Sequence, residues 1–283
     1  MSDSADSNIV YRDIEKISEM RAVEQLQKEV WGFSDRDIVP VLTLIPTIEV
    51  GGVLVGAFDK ERLVGFAYGF IGREKGNLIL HSNMLAVLPQ YRCQNLGYKL
   101  KLAQRERALA TGIGIMTWTF DPLQSRNAHL NFAKLGVVSS RYKIDHYGDE
   151  SSSFLHQNIG TDRLWVWWEL DSLRVRQRLQ SDEQERMIPS VPRDAITLAG
   201  LTADGPSSKC GLHEAIGSEH LLIEIPADIN SLQHQDVHVA RRWREITRKA
   251  FVEALAAGYV IKEFYRPTGA GQVNGAYLLS LEV

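Results

Sequence analysis

The stretch that most constrains this chain is Asn83 to Tyr98, NMLAVLPQYRCQNLGY. An apolar run ending at Val87 reads as a strand, and Pro89, which has no N–H to give a ladder, stops it. Asn95 to Ala110 follows, with Leu96, Leu100 and Ala103 on one face and Lys and Arg on the other, which predicts an amphipathic helix. A strand that turns tightly into a helix places the helix's orphan N–H groups and its positive dipole end beside a sheet. That arrangement suits a phosphate or diphosphate. Gly97 admits close backbone approach, and Arg92 adds a fixed positive charge. The same spacing also suits an ordinary strand-to-helix turn.

The segments around it alternate in period. Ile9 to Arg12 reads as a short strand. Ile17, Met20, Val23, Leu26 and Val30 recur at helical spacing across Glu15 to Val30. A second short helix is predicted from Asp37 to Leu44, before Pro46. Val53–Phe58 and Leu63–Phe70 flank a polar turn and read as a hairpin. Leu78–Val87, Ile113–Phe120 and Leu164–Leu170 are further strands. Asn127 to Leu135 reads as a helix closed by Gly136. The order β, α, α, β, β, β, α, β, α, β, β predicts an α+β fold: a mixed, mostly antiparallel sheet flanked by helices.

Ten of the 24 residues from Asp171 to Asp194 are charged, with prolines near the end. Residues 173–194 are therefore expected to be a linker, partly helical, between a domain at 8–172 and a smaller α+β domain at 195–283. In the latter, Ala195–Ala199 and Leu221–Ile225 read as strands and Val237–Ala257 as a long helix. Tyr259–Tyr265 and Ala276–Val283 read as a closing hairpin turned by Asn274-Gly275.

Composition excludes several classes. The 283 residues carry 32 basic and 35 acidic side chains, a net charge of −3 that drives the chain onto neither nucleic acid nor anionic lipid. The two cysteines, Cys93 and Cys210, make neither a disulfide framework nor a four-sulfur zinc site. No run is long and apolar enough for a membrane span. Met1 to Asn8 lacks the apolar core of a leader, so a cytoplasmic location is expected. No metal site is expected: His234 and His238 have i, i+4 spacing, but Gln235 stands where a zinc protease needs Glu.

Val87, Pro89, Tyr91, Arg92 and Gly97 resemble motif A of the GNAT superfamily of N-acyltransferases, V-x-P-x-[Y/H]-[R/Q]-x-x-G-x-[G/A]. Asn95 stands where that pattern prefers Gly, and Asn is the residue that best tolerates left-handed dihedrals in its place. Asn127, Lys134, Leu135 and Gly136 resemble motif B, over a total span of roughly residues 8–170. The resemblance implies acetyl-CoA or another acyl-CoA as ligand. It places the pantetheine arm along the strand near Leu85 and Val87, with Asn127 facing it. The diphosphate falls on the amides of Arg92, Cys93, Gln94, Asn95, Leu96, Gly97 and Tyr98. The implied reaction is direct attack of a small-molecule amine, such as an amino acid, on the thioester, the acyl group being acetyl or larger, succinyl included.

Such a reaction needs a base, an oxyanion donor and an acid. His81 is the first candidate base, on a strand whose period of two places 81, 83, 85 and 87 on one face. Its alternative is a hydrogen-bonded sheet histidine. Asp121 is the second, expected at the mouth of a cleft, or else capping a turn before Pro122. Asn83 and Glu49 are expected to line the acceptor site. The family's tyrosine position holds Phe132, which has no proton to donate, leaving Tyr142, Tyr147 or water. Phe132 is also what favours the alternative of a catalytically weak acyl-CoA sensor or scaffold. Arg241, Arg242, Arg244, Arg248 and Lys249 crowd one helix, as a basic patch or a solvated face. The 195–283 region is expected to be a second lobe, a lid or a homodimer interface.

Overall fold

The computed structural model describes residues 9–92, 94–148, 159–180, 190–266 and 274–281. Contacts divide the chain into two compact units, the first running to Trp118 and the second starting at Thr119.

The first unit holds β1 (Ile9–Asp13), α1 (Ile17–Trp31), α2 (Val41–Glu49), β2 (Val53–Asp59), β3 (Arg62–Glu74), β4 (Asn77–Val87), α3 (Leu96–Ala110) and the first residues of β5 (Ile115–Phe120). The strands follow one another in the order β1-β2-β3-β4-β5. All pairs are antiparallel except β4 with β5. Met20, Val23, Leu26 and Val30 bury the inner stripe of α1, each stabilising by roughly 1.5–3 kcal/mol. Buried among them, Gln27 exchanges two hydrogen bonds with the backbone of Val39 and so holds the α1–α2 loop. The β3–β4 connection is tight because Lys75 and Gly76 both take positive φ, 49° and 81°, as a primed hairpin turn requires.

The second unit holds α4 (Ser125–Ala128), which runs into a π-helical turn at His129–Leu135, then β6 (Val138–Lys143), β7 (Arg163–Glu169) and α5 (Leu173–Gln180). After these come β8 (Ile196–Thr202), β9 (Gly205–Ser208), α6 (Leu212–Ala215), β10 (His220–Pro226), α7 (Ile229–Gln235), α8 (Val237–Ala256), β11 (Tyr259–Tyr265) and β12 (Asn274–Leu281). Its strands are ordered β7-β6-β11-β12-β10-β8-β9. Gly136 ends the π-helical turn at φ 74°, as its sequence position predicts. Trp243, Ala250, Phe251 and Ala254 form the buried stripe of α8.

The expected element order holds, and particular elements differ. The second helix runs from Val41 through Pro46 to Glu49 rather than ending before the proline. The carbonyl that Pro46 leaves unbonded belongs to Leu42, which is 84% exposed, so water can satisfy it. Asn274 and Gly275 are not a turn. They pair within β12, opposite Pro226 and Ile225 of β10. The compact units do not divide at the expected 173–194 linker. Ser139 of β6 pairs with Ile261 of β11, which joins the two sequence regions in one sheet. Within that stretch, α5 is held down by ion pairs from Arg174 and Arg178 to the buried carboxylate of Glu263. Residues 181–189 lie outside the described residues.

Candidate active site

β4 is the strand on which the site is built. It pairs with β3 along its whole length, with a register shift between Tyr68↔Met84 and Gly69↔Ser82. Asn83 is the extra residue of this bulge. The bulge corrects the expected face. Opposed residues share a face, so His81 lies with Phe70, Tyr68, Met84 and Ala86, while Ser82 lies with Leu85 and Val87. One inserted residue reverses the alternation on which the sequence reading relied.

On its other side β4 meets β5 through two residue pairs, Leu80↔Met116 and His81↔Thr117. β4 continues for six residues beyond them. Over Ser82–Val87 its edge carries backbone N–H and C=O groups that this ladder does not use, Leu85 and Val87 among them.

The strand then turns at Pro89–Tyr91. The turn is fixed from both sides: the Tyr91 hydroxyl donates to Asp59 Oδ2 at 2.7 Å, and Arg92 Nε donates to the Val87 carbonyl at 3.3 Å. Hydrogen bonding to Asp59 raises the Tyr91 phenol above its ordinary pKa. Asn95 is the N-cap of α3 at φ 59°, and its side chain does not cap the helix. The first helical rung is Lys99 N–H to Asn95 O at 3.0 Å, so the amides of Leu96, Gly97 and Tyr98 precede the ladder. No acidic residue stands in this first turn. A Cβ at Gly97 would meet only Leu85 Cδ2, at 3.4 Å. This donor set fits a diphosphate: amides at a dipole's positive end, no carboxylate to repel the anion, and a small residue where it approaches. Arg92, Gln94 and Asn95 flank it, and Cys93 lies outside the described residues.

His81 Nδ1 lies 2.9 Å from Thr117 Oγ1 on β5, and its ring is 5.3 Å from that of Phe70, which is 39% exposed. On the opposite face the Lys101 ammonium of α3 is buried. It donates to Ser82 Oγ at 2.6 Å and lies 3.7 Å from the Trp118 ring, while Ser82 donates to Gln104. Burial pushes the Lys101 pKa well below its ordinary value. No signal in the sequence marked Lys101 as an inward residue; it reads as part of the polar face. Glu49 is exposed at the end of α2, and Asn83 is exposed at the bulge.

The second unit holds the other expected residues. Asn127 is exposed on α4. Asp121 is not at an open mouth. It is 8% exposed, and both its oxygens accept from Arg244 Nη2 at 2.8 Å, one of them also from the Leu123 amide. Arg244 is itself buried on α8, and the field of Asp121 helps to raise its pKa against the cost of burial. Phe132 is fully buried against Phe120 and Tyr277. Of the two phenols weighed as acids, Tyr142 donates to Asp162, and burial pushes its pKa well above the usual range. Tyr147 stays 50% exposed, its hydroxyl 3.1 Å from Thr119 Oγ1.

Residues 20–137 match the model of the acetyltransferase (GNAT) family. No match is found among curated proteins. Three solved structures illustrate the similarity. The ribosomal-protein-S18-alanine N-acetyltransferase from Escherichia coli is 13% identical, covering 58% of this chain and 95% of its own, with a TM-score of 0.45. A PaiA N-acetyltransferase from Thermoplasma acidophilum in complex with coenzyme A is 17% identical, covering 57% and 98%, with a TM-score of 0.41. An aminoglycoside 6′-N-acetyltransferase complexed with coenzyme A is 12% identical, covering 58% and 98%, with a TM-score of 0.43. No described helix is long and apolar enough to cross a membrane.

Proposed function

We propose that this protein is an acyl-CoA-dependent N-acyltransferase acting on a small-molecule amine such as an amino acid, with an acetyl or larger acyl group, succinyl included. The observation that carries the reading is the continuity of the β4 edge with the start of α3. The β4–β5 ladder stops after two pairs, and six residues of edge that this ladder does not use lead through a fixed turn to a helix start whose first amides precede the helical ladder. An extended amide-bearing arm fits the edge near Leu85 and Val87, and its diphosphate fits the amides of Leu96, Gly97 and Tyr98. The GNAT family match spans both segments.

When bound, acyl-CoA supplies an activated thioester carbonyl. The chain's own residues then have three tasks. The amides at the β4 bulge, Asn83 and Met84, offer a donor to the carbonyl oxygen as it gains charge. His81 accepts the proton of the attacking amine. An imidazole's ordinary pKa of about 6.5 suits this task near neutrality, and Thr117 fixes the ring. Asp121 is a positioning residue instead, because Arg244 occupies both its oxygens. Asn83 and Glu49 stand at the acceptor side, and the leaving thiolate takes its proton from water. Phe132 supports the second reading, an acyl-CoA sensor without turnover.

The test is thiol release from acetyl- and succinyl-CoA across a panel of amino acids and polyamines, with His81→Ala alongside. Turnover above hydrolysis with one amine class is expected. A melting shift with acyl-CoA and no turnover supports the sensor, and neither signal overturns both readings.

A further inference from the structure

Lys101 of α3 is a buried ionisable group with no part in the chemistry proposed above. The helix packs on β2, β3 and β4, and Lys101 and Gln104 both lie on its buried face, at i, i+3 spacing. The β4–β5 ladder ends at His81↔Thr117. Ser82 and Trp118 are the next residue of each strand, so their side chains fall on the face opposite His81 and Thr117. The Lys101 ammonium occupies that point. It donates to Ser82 Oγ at 2.6 Å on one strand and lies 3.7 Å from the centre of the Trp118 ring on the other. Ser82 donates in turn to Gln104 Oε1 at 2.7 Å. Gly69 of β3, which pairs with Ser82, leaves room for this network: a Cβ there would stand 2.9 Å from the His81 carbonyl oxygen and 3.4 Å from Gln104 Nε2. The two strands are therefore tied on both faces just where they part, by His81 with Thr117 on one and by Lys101 on the other. Asn83, the extra residue of the bulge, follows directly.

We propose that Lys101 is a positioning residue, which fixes the fork between β4 and β5 and so aims the bulge amides of Asn83 and Met84 at the thioester carbonyl. The proposal rests on the acyltransferase reading. Stability alone does not account for the lysine. An ammonium buried with no carboxylate among the described residues is costly, and an apolar side chain of the same length would cost less. What the ammonium supplies is direction. Its hydrogen bond orients the Ser82 hydroxyl at the entrance to the bulge, and the indole face holds its charge over β5.

The test measures rate, stability and amide exchange on the full chain. Lys101→Met is expected to lower kcat about 10- to 100-fold with the KM for acetyl-CoA unchanged, because slightly misplaced donors weaken the transition state more than cofactor binding. Its melting temperature stays in place or rises, since an apolar chain replaces a desolvated charge. Ser82→Ala loses the same rate and is less stable, because it leaves the ammonium without its hydroxyl partner. The double variant recovers that stability and loses no more rate than either single. A merely structural lysine would make rate follow stability. Full rate in Lys101→Met or in Ser82→Ala, or a double variant whose loss is the product of the singles, overturns the proposal. A wild type without turnover fails the acyltransferase reading instead, and hydrogen exchange then decides the role of Lys101. Amides of Asn83 and Met84 exchanging about tenfold faster in Lys101→Met, with those of β2 unchanged, support it, and unchanged exchange overturns it.

Discussion

α3 and α8 are both long helices packed on a sheet, and they treat their N-termini in opposite ways. α8 is closed by Asp236, whose carboxylate accepts from two first-turn amides. α3 begins at Asn95 in the left-handed region, with no side-chain cap and no acidic residue in its first turn. Their buried cations differ too. Arg244 of α8 meets a buried carboxylate, whereas Lys101 of α3 meets a hydroxyl and an indole ring and no carboxylate among the described residues. The helix that satisfies itself is structural. The first turn of α3, without a side-chain cap or an acidic residue, is where the proposed diphosphate site lies.

Breaking the α8 side has the largest expected effect. Arg244→Met leaves Asp121 buried without its partner and lowers unfolding free energy by about 3–5 kcal/mol, read by urea denaturation. Arg244→Met with Asp121→Asn recovers much of that loss. A double variant as unstable as the sum of the singles would mean that the pair is not coupled. Next comes the β4 strand of the candidate site: His81→Ala lowers kcat by about 10²- to 10⁴-fold with the KM for acetyl-CoA unchanged. If Asp121→Asn were the variant that lost rate and kept stability, the two roles would be exchanged.

Lys101 gives a smaller, pH-dependent effect. Its folded pKa lies below the unfolded value of about 10.4, so between the two the unfolded chain binds the extra proton. Stability therefore falls as pH is lowered through that window, by at most about 1.4 kcal/mol per pH unit. Lys101→Met removes this slope, which denaturation midpoints between pH 7 and 10 would show. An unchanged slope would mean that the ammonium finds solvent. The smallest effect is at Gly97. Its added methyl makes an ordinary contact, so Gly97→Ala leaves the fold intact, with a gain of up to about 1 kcal/mol from helix propensity. Calorimetry with CoA should nevertheless show about tenfold weaker binding. Unaltered affinity would move the diphosphate away from α3.

The legibility of the site differs along the chain. Pro89, Arg92 and Gly97 announce the turn and helix start through local chemistry alone. The Asn83 bulge is silent in the sequence, because nothing in NMLAV distinguishes a regular strand from one with an extra residue. That is why His81 was expected to face with Leu85 and Val87. Lys101 and Arg244 read as surface charges, since whether a cation turns inward depends on which partner from a distant segment meets it.

The sequence by itself determined the order of elements, the strand-to-turn-to-helix junction and the left-handed tolerance at Asn95, all properties of neighbours along the chain. Tertiary structure alone decided that β4 parts from β5 after two pairs, that Asp121 is bound by Arg244 123 residues away, and that Arg248 of the same helix pairs with Asp145 and Asp162. Each of these depends on register or on contacts between segments far apart, where burial and charge pairing outweigh any local preference.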